Sequence, residues 1–274
     1  METEKTELEI LCAPDPAGVP EDERIILETA MEAGHLLLEN GAEIFRVEET
    51  MSRICRHFGV ADSSFFVLSN GIFTTGGRIS RPFAKVQHIP VRGTRLDRVI
   101  AINELSREIE EGRYTPEEVR RELARIRGLP GKPAFLQILA SGIGSAAFCY
   151  LFGGSLRDSG AAFLAGFLLY VFMLLGPAPR MSRIVSNILG GALVTVVCLI
   201  CRNLGIGEHL NPMIIGSIIP LVPGVPFTNG IRDIADGDYI SGSVRLLDAS
   251  LVFLCIAIGV GLTFTVAGRM GGIL

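Results

Sequence analysis

Residues 211–233, NPMIIGSIIPLVPGVPFTNGIRD, decide the fold class. The segment is apolar enough to enter a bilayer, but three prolines and a glycine fall within seven residues: Pro220, Pro223, Gly224 and Pro226. An α-helix cannot run unbroken through them, because each proline removes a backbone donor and clashes with the preceding turn. Non-helical backbone persists at membrane depth only where protein buries it or where it lines a wet cavity. The stretch therefore predicts a broken transmembrane helix at a transport site, with a kinked structural helix as the alternative.

Three further apolar segments precede this one in the sequence, and a fourth follows it. They cover residues 135–152, 160–175, 184–201 and 246–266, and the broken segment covers 212–231. Each approaches the ~20 residues that a helix needs to cross a bilayer. Small residues recur at four-residue spacing within them, as in Gly142 with Ala146, which favours close helix packing in lipid. The sequence predicts an α-helical membrane protein with about five transmembrane helices, the fourth one broken.

The N-terminal half has the charge density of a soluble domain. Of the 25 Lys and Arg residues, 18 precede residue 134, and so do 23 of the 29 Asp and Glu residues. We expect a disordered lead at 1–22, a small α+β domain at 23–133 and a transmembrane domain at 134–274. Helices are predicted at 24–39, at about 42–59, at 95–111 and at 116–127, with three short strands between the second and third helices. Thr94 with Asp97, and Thr115 with Glu118, are capping signals for the last two helices.

Basic residues in the loops predict the orientation. Arg180 and Arg183 follow the second span, and Arg232 and Arg245 follow the fourth, whereas the opposite side has single arginines. The positive-inside rule then places the N-terminal domain in the cytoplasm and the C-terminus outside. The acidic N-terminus is unlike a secretory signal peptide, and a net charge of −4 argues against nucleic-acid binding. We expect a multi-pass protein of the bacterial inner membrane, with the lipid bilayer as its surroundings.

Polar residues near the apolar spans are the candidate site. The predicted substrate path comprises the broken stretch with Asn229, Asp233 and, in the third span, Asn187. A gate or ion pair is predicted among Asp238, Arg245 and Asp248. Charges inside a membrane are costly unless they are paired or functional. The alternatives are solvated loop positions for the charged residues and interhelical hydrogen bonding for Asn187.

A second set of charges lies in the N-terminal half. Glu43, Arg46 and Glu49 are spaced i, i+3 on one predicted helix face, so they can form a string of ion pairs. A solvated salt-bridge face is one interpretation, and docking of the soluble domain against the membrane part is the other. We find no catalytic constellation and no metal-ligand spacing, and we expect no cofactor. Cys198 and Cys201 have CxxC spacing but no further ligands nearby, so packing is the preferred interpretation.

The chain from about residue 23 resembles the threonine/serine exporter family. The resemblance rests on GAEIFRVEETM at 41–51, on NGIFTTG at 70–76, and on PLVPGVPFTNGIRDIADGDYISGSVRLLDA at 220–249. It implies an exporter of small polar metabolites, such as threonine, serine or succinate, driven by the proton-motive force. One-chain members carry a second block of four or five spans. The resemblance therefore implies a separately encoded small membrane subunit of that size, in a hetero- or homo-oligomer.

Three functions remain open from the sequence. The first is a subunit of a secondary transporter, which the broken span and the resemblance favour. The second is a membrane-tethered enzyme, which would need a catalytic constellation. The third is a membrane-anchored sensor or assembly subunit whose cytoplasmic domain binds a ligand. A purely anchoring span has no need of a break, so the proline-rich stretch favours the first.

Overall fold

The computed structural model describes residues 21–60, 62–77, 83–90, 93–175 and 181–269. Most of the predicted disordered lead, Arg180 and the C-terminal residue lie outside these ranges. The chain forms two compact units. The first comprises the chain up to Pro130 together with Val225–Leu246, and the second comprises Gly131–Gly224 and Leu247–Leu274. A segment from the membrane half thus belongs to the same unit as the N-terminal half.

Among the described residues, the N-terminal part of the first unit has four helices and three strands, as the sequence predicts. The helices are α1 (Glu21–Glu39), α2 (Ile44–His57), α3 (Leu96–Glu110) and α4 (Pro116–Arg127). The strands β1 (Ser63–Leu68), β2 (Gly71–Gly76) and β3 (Phe83–His88) form an antiparallel meander in the order β1-β2-β3. Phe66 pairs with Phe73, and Phe73 pairs with Val86.

The core of the first unit lies between α1, α2 and the sheet. Leu27 and Leu36 of α1, Met51 of α2 and Ile72 of β2 are fully buried there. Burying a side chain of this size stabilises a fold by about 1.5–3 kcal/mol relative to leaving it exposed. α1 ends at Glu39, and the chain then turns through Asn40 and Gly41, whose φ of +84° suits glycine. The turn between α1 and α2, which forms part of the candidate site described below, lies next to this core.

One of the two predicted caps is confirmed and the other is wrong. Thr115 and Glu118 form a reciprocal capping box at the start of α4. At α3 the N-cap residue is Arg95 and no side chain caps the helix, so Thr94 does not have the predicted role. Asp97 instead binds the Arg95 guanidinium through two hydrogen bonds of 2.9 and 2.7 Å. The Asp97 carboxylate thus binds the Arg95 guanidinium in place of a backbone amide, because two charge-assisted hydrogen bonds are stronger than one to a neutral amide.

The second half of the chain is helical. Its helices are α5 (Ala134–Leu151), α6 (Leu156–Leu175), α7 (Arg183–Asn203), α8 (Leu210–Ile218), α9 (Gly224–Ala235) and α10 (Tyr239–Arg269). Within the described residues, α5, α6, α7 and α10 are long and apolar enough to cross a membrane. The bent pair Leu210–Leu221 and Gly224–Ala235 makes a fifth candidate if it is counted as one span.

The core of the second unit is built from small residues. Ala161, Ala162 and Ala165 of α6 pack with Cys149 of α5 and Cys198 of α7, all of them buried. A Cβ atom on Gly166 would collide with Ser145, so the absence of a side chain there lets α5 and α6 approach closely. Cys198 and Cys201 are buried free thiols.

Candidate functional site

The α1–α2 turn receives hydrogen bonds from a segment almost 190 residues away. Asn229 of α9 donates from Nδ2 to the Gly41 carbonyl at 2.8 Å. Arg245 of α10 donates from Nη2 to the Ala42 carbonyl at 2.9 Å. Both residues belong to the segment that folds as part of the first unit. Two of the stretches that carry the family resemblance, 41–51 and 220–249, therefore contact each other at this turn.

Asp233 supplies the cap that the N-terminus of α2 lacks. The N-cap residue, Glu43, makes no side-chain capping hydrogen bond. The Ile44 amide, at the first position of α2, donates instead to Asp233 Oδ1 at 3.1 Å. The first amides of a helix have no partner within the helix, and the positive end of the helix dipole attracts an anion. The Asp233 side chain is only 1% exposed, so this carboxylate depends on protein partners.

Arg245 neutralises the same carboxylate. Its Nη1 lies 2.9 Å from Asp233 Oδ2, and the Arg245 side chain is 11% exposed. The guanidinium therefore joins a buried carboxylate to the Ala42 carbonyl. A buried ion pair gains little over well-packed apolar residues, but loss of one partner strands the other charge. We call Asn229, Asp233, Arg245 and the backbone of 41–44 the turn cluster.

A more exposed ion pair flanks the turn cluster. Arg232 of α9 binds Glu43, the first residue of the predicted charge string, and its own side chain is 61% exposed. Arg46 lies 3.3 Å from Glu49, which also binds Arg53 at 2.8 Å. Exposed pairs of this kind contribute about 0–1 kcal/mol each. Glu43 is thus directed to α9, whereas Arg46 and Glu49 remain on the surface of α2.

Two glycines let α9 and α10 approach each other beside the turn cluster. A Cβ atom on Gly242 would lie 2.7 Å from the Gly230 carbonyl and 2.6 Å from Ile234 Cγ1. Asp236 is exposed at the end of α9, and Asp238 is half-buried in the loop that leads to α10. Asn229, Asp233 and Arg245 are therefore positioned by a tightly packed helical hairpin rather than by a loop.

Glu48 has an unusual electrostatic environment on the next turn of α2. It accepts a hydrogen bond from the Val67 amide of β1 at 3.0 Å. Burial raises the pKa of Glu48 above its ordinary value, the Val67 hydrogen bond opposes that rise, and the negative charge of Asp238 adds to it. The pKa of Asp238 is also raised, through burial and the neighbouring Asp236. The negative charge of the loop between α9 and α10 thus affects the pKa of a carboxylate on α2.

The proline-rich stretch joins the end of α8 to the first turn of α9. α8 ends at Ile218, Ile219–Leu221 form a 3-10 turn, and Val222 has an extended conformation (φ −64°, ψ 123°). Pro223 lies at the break, and Gly224 and Pro226 lie in the first turn of α9. Pro220 borders a cavity of about 380 Å³ within the second unit. Gln137, Ser141 and Tyr170 supply the polar part of its lining.

Comparison with known proteins decides the family. The model of the ThrE family, described as threonine/serine exporters, matches residues 28–267. The chain belongs to the threonine/serine exporter family. It is 26% identical over 251 residues to the "Probable succinate transporter subunit YjjP" of Klebsiella aerogenes, covering 91% of this chain and 97% of that protein. It is 25% identical over 252 residues to the protein of the same name from Escherichia coli K12, covering 92% and 98%. No solved structure matches the chain.

Membership of the threonine/serine exporter family fixes the broad class. The chain is a multi-pass membrane protein, and it is a transporter rather than an enzyme. In this member of the family, the turn cluster brings together Asn229, Asp233 and Arg245. Two other predicted site residues lie in the second unit: Asn187 is half-buried on α7, and Asp248 is exposed on α10.

Sequence reasoning missed one buried carboxylate of this exporter-family chain. Asp158 of α6 is fully buried and accepts hydrogen bonds from the amides of Ser155, Glu208 and His209 at 2.8, 2.6 and 3.0 Å. Oδ1 accepts from Glu208 and His209, and Oδ2, which accepts from Ser155, also lies 2.9 Å from His209 Nδ1. Asp158 thereby holds the loop before α8 against the start of α6. The spacing Ser155-x-x-Asp158 is a capping signal that could have identified it.

Proposed function

We propose that the chain is a subunit of a secondary transporter that exports small polar metabolites, threonine- and serine-like amino acids or dicarboxylates, driven by the proton-motive force. The observation that carries the proposal is the family match, which covers nearly all of both units. A soluble enzyme or a simple membrane anchor would not need the interrupted helix at Ile219–Pro223. The geometry therefore supports a transport role for both halves of the chain.

The proposed complex contains a second, separately encoded membrane subunit of four or five spans. Two relatives that align along almost their whole length are named transporter subunits. Many apolar side chains of the described spans are exposed within this chain, among them Leu156 and Leu175. They are available to lipid or to a partner helix. We place the complex in the bacterial inner membrane, with the N-terminal half in the cytoplasm and the C-terminus outside.

In the proposed mechanism the turn cluster controls α9. The proposed permeation path comprises the backbone freed by Pro220 and Pro223 together with Asn229 and Asp233. With Asp233 ionised, Arg245 and the Ile44 amide hold α9 against the α1–α2 turn. Protonation of Asp233 would remove the charge that both partners bind and release α9. Glu43 and Asp238 are the other charged groups around Asp233.

Export from cells tests this mechanism. Cells carrying the chain and its partner are loaded with threonine, and efflux is compared for Asn229→Ala and Asp233→Asn at matched membrane levels. We expect both variants to lose most export, whereas Asp236→Asn, at the exposed residue that follows α9, keeps it. If both variants export about as well as the unaltered chain, the hairpin of α9 and α10 has only a structural role.

A further inference from the structure

The cavity beside the Ile219–Leu221 turn has the dimensions of a small-metabolite site. Its volume of about 380 Å³ lies near the lower end of the range for ligand pockets, roughly 300–1,000 Å³. α5, α6 and the 3-10 turn all contribute to its walls, and the described lining residues belong to the second unit. Pro220, which cannot donate a backbone hydrogen bond, forms part of the wall. The cavity is therefore built where the helix is interrupted.

Three polar side chains of two apolar helices converge on this cavity. Tyr170 Oη donates to Gln137 Oε1 at 2.6 Å, and Gln137 Nε2 donates to the Lys132 carbonyl at 2.7 Å. Ser141 Oγ donates to the Gly166 carbonyl at 2.9 Å. After these bonds Gln137 retains one N–H, and the Tyr170 and Ser141 oxygens retain lone pairs. The cavity can therefore offer both a donor and acceptors to a solute.

The cavity extends inward from one end of α5. Gln137 is the fourth residue of α5 and Gly144 the eleventh, and both line the wall. At 1.5 Å per residue the wall reaches ~15 Å from the start of the helix, about half of a ~30 Å hydrocarbon core. With the proposed orientation, α5 starts at the cytoplasmic side. With that orientation the cavity spans the cytoplasmic half of the hydrocarbon core.

The charge of the lining restricts what can bind. None of the described residues that line the cavity is charged. In the described part of the second unit, Arg157, Arg183, Arg202 and Arg269 are exposed near helix ends, and Lys132 is exposed before α5. A charge at membrane depth is costly unless an opposite charge pairs with it. A dianion would bring two such charges, whereas the opposite charges of a zwitterion compensate each other in part.

We infer that this cavity is the loading site of the exporter, that Gln137 and Tyr170 bind the solute there, and that the site takes a small net-neutral solute in preference to a dicarboxylate dianion. This inference rests on the proposed function and chooses between its two cargo classes. It also separates the binding of cargo, in the second unit, from the turn cluster, in the first.

Paired efflux measurements test the inference. Cells that carry the full chain and its partner are loaded with labelled threonine or labelled succinate, and efflux is measured over a range of internal concentrations. Gln137→Leu and Tyr170→Phe should each raise the apparent KM for threonine on the order of tenfold, because each removes a hydrogen bond to the solute. Tyr150→Phe is the matched control, since Tyr150 is 62% exposed on α5 and does not line the cavity.

The possible outcomes distinguish the site from the function. Chain-dependent efflux of threonine exceeding that of succinate, with the two cavity variants impaired and the control intact, supports the inference. Efflux that favours succinate, or cavity variants that match Tyr150→Phe, overturns the inference and leaves the exporter intact. If neither solute leaves faster than from cells without the chain, the proposed function is overturned as well. Membrane levels and the midpoint of thermal unfolding identify any variant that is merely misfolded.

Discussion

The Asp233 carboxylate and the Arg245 guanidinium lie 2.9 Å apart at a position from which solvent is almost excluded. Each has a second partner on the α1–α2 turn, the Ile44 amide for Asp233 and the Ala42 carbonyl for Arg245. The pair thus ties two helices of the C-terminal half to the beginning of α2. Removing either charge leaves the other buried without an opposite charge, which destabilises the fold more than the loss of an exposed pair would.

Arg245→Met should destabilise the chain strongly. The substitution strands the Asp233 carboxylate in a buried site, which typically costs about 3–5 kcal/mol. Adding Asp233→Asn should recover most of that loss, because the neutral amide oxygen still accepts from the Ile44 amide. The midpoint of thermal unfolding of the full chain in detergent measures both effects. A double variant as unstable as Arg245→Met would show that the stranded charge is not the cause.

Gly242→Ala should separate α9 from α10, because the added methyl group would meet the Gly230 carbonyl at 2.7 Å. Gly261→Ala is the matched control on the same helix, since nothing lies within 4 Å of the position that its Cβ would take. We expect Gly242→Ala to lower the unfolding midpoint and to increase hydrogen exchange at the start of α2. Gly261→Ala should be neutral or slightly stabilising, as alanine favours helix. Identical behaviour of the two variants would contradict the packing described for the hairpin.

Glu48→Gln should stabilise the chain at neutral pH. Because burial raises the pKa of Glu48 in the folded state, ionisation opposes folding once the pH exceeds the unfolded value of about 4.3. The glutamine oxygen can still accept from the Val67 amide. The gain in unfolding midpoint should therefore be present at pH 7 and disappear below about pH 4. Glu104→Gln, at an exposed position of α3, is the control. A gain that did not depend on pH would point to packing instead of charge.

Hydropathy and capping chemistry were sufficient to predict much of the fold. Long apolar runs identify α5, α6, α7 and α10, because a span must satisfy its own backbone and cover it with apolar side chains. The Thr115 capping box was predictable because both of its partners lie within four residues. The Thr94 cap failed because the competing partner, Arg95, acts through its side-chain charge, which a capping pattern does not weigh.

The turn cluster was only half predictable. Asn229, Asp233 and Arg245 attract notice as polar residues beside an apolar span. Their partners on the α1–α2 turn are backbone groups of Gly41, Ala42 and Ile44. Every residue has such backbone groups, so the side-chain pattern of the sequence cannot identify these three. Hydropathy likewise shows that residues 225–246 are less apolar than the spans, but it does not show which unit they join. Proline acts locally, so the sequence predicts a break at 220–226 without reference to any distant partner.

The discontinuity of the first unit imposes an order on its biosynthesis. A ribosome that has completed Pro130 must add another 116 residues before Leu246 ends the segment that caps α2. At typical rates of about 5–20 residues per second, this takes roughly 6–23 s. Until then α1 to α4 are without Asp233 and Arg245. The Ile44 amide therefore lacks the carboxylate that it binds in the folded chain. The unit that contains α1 to α4 is therefore completed only after α5 to α8 have been synthesised.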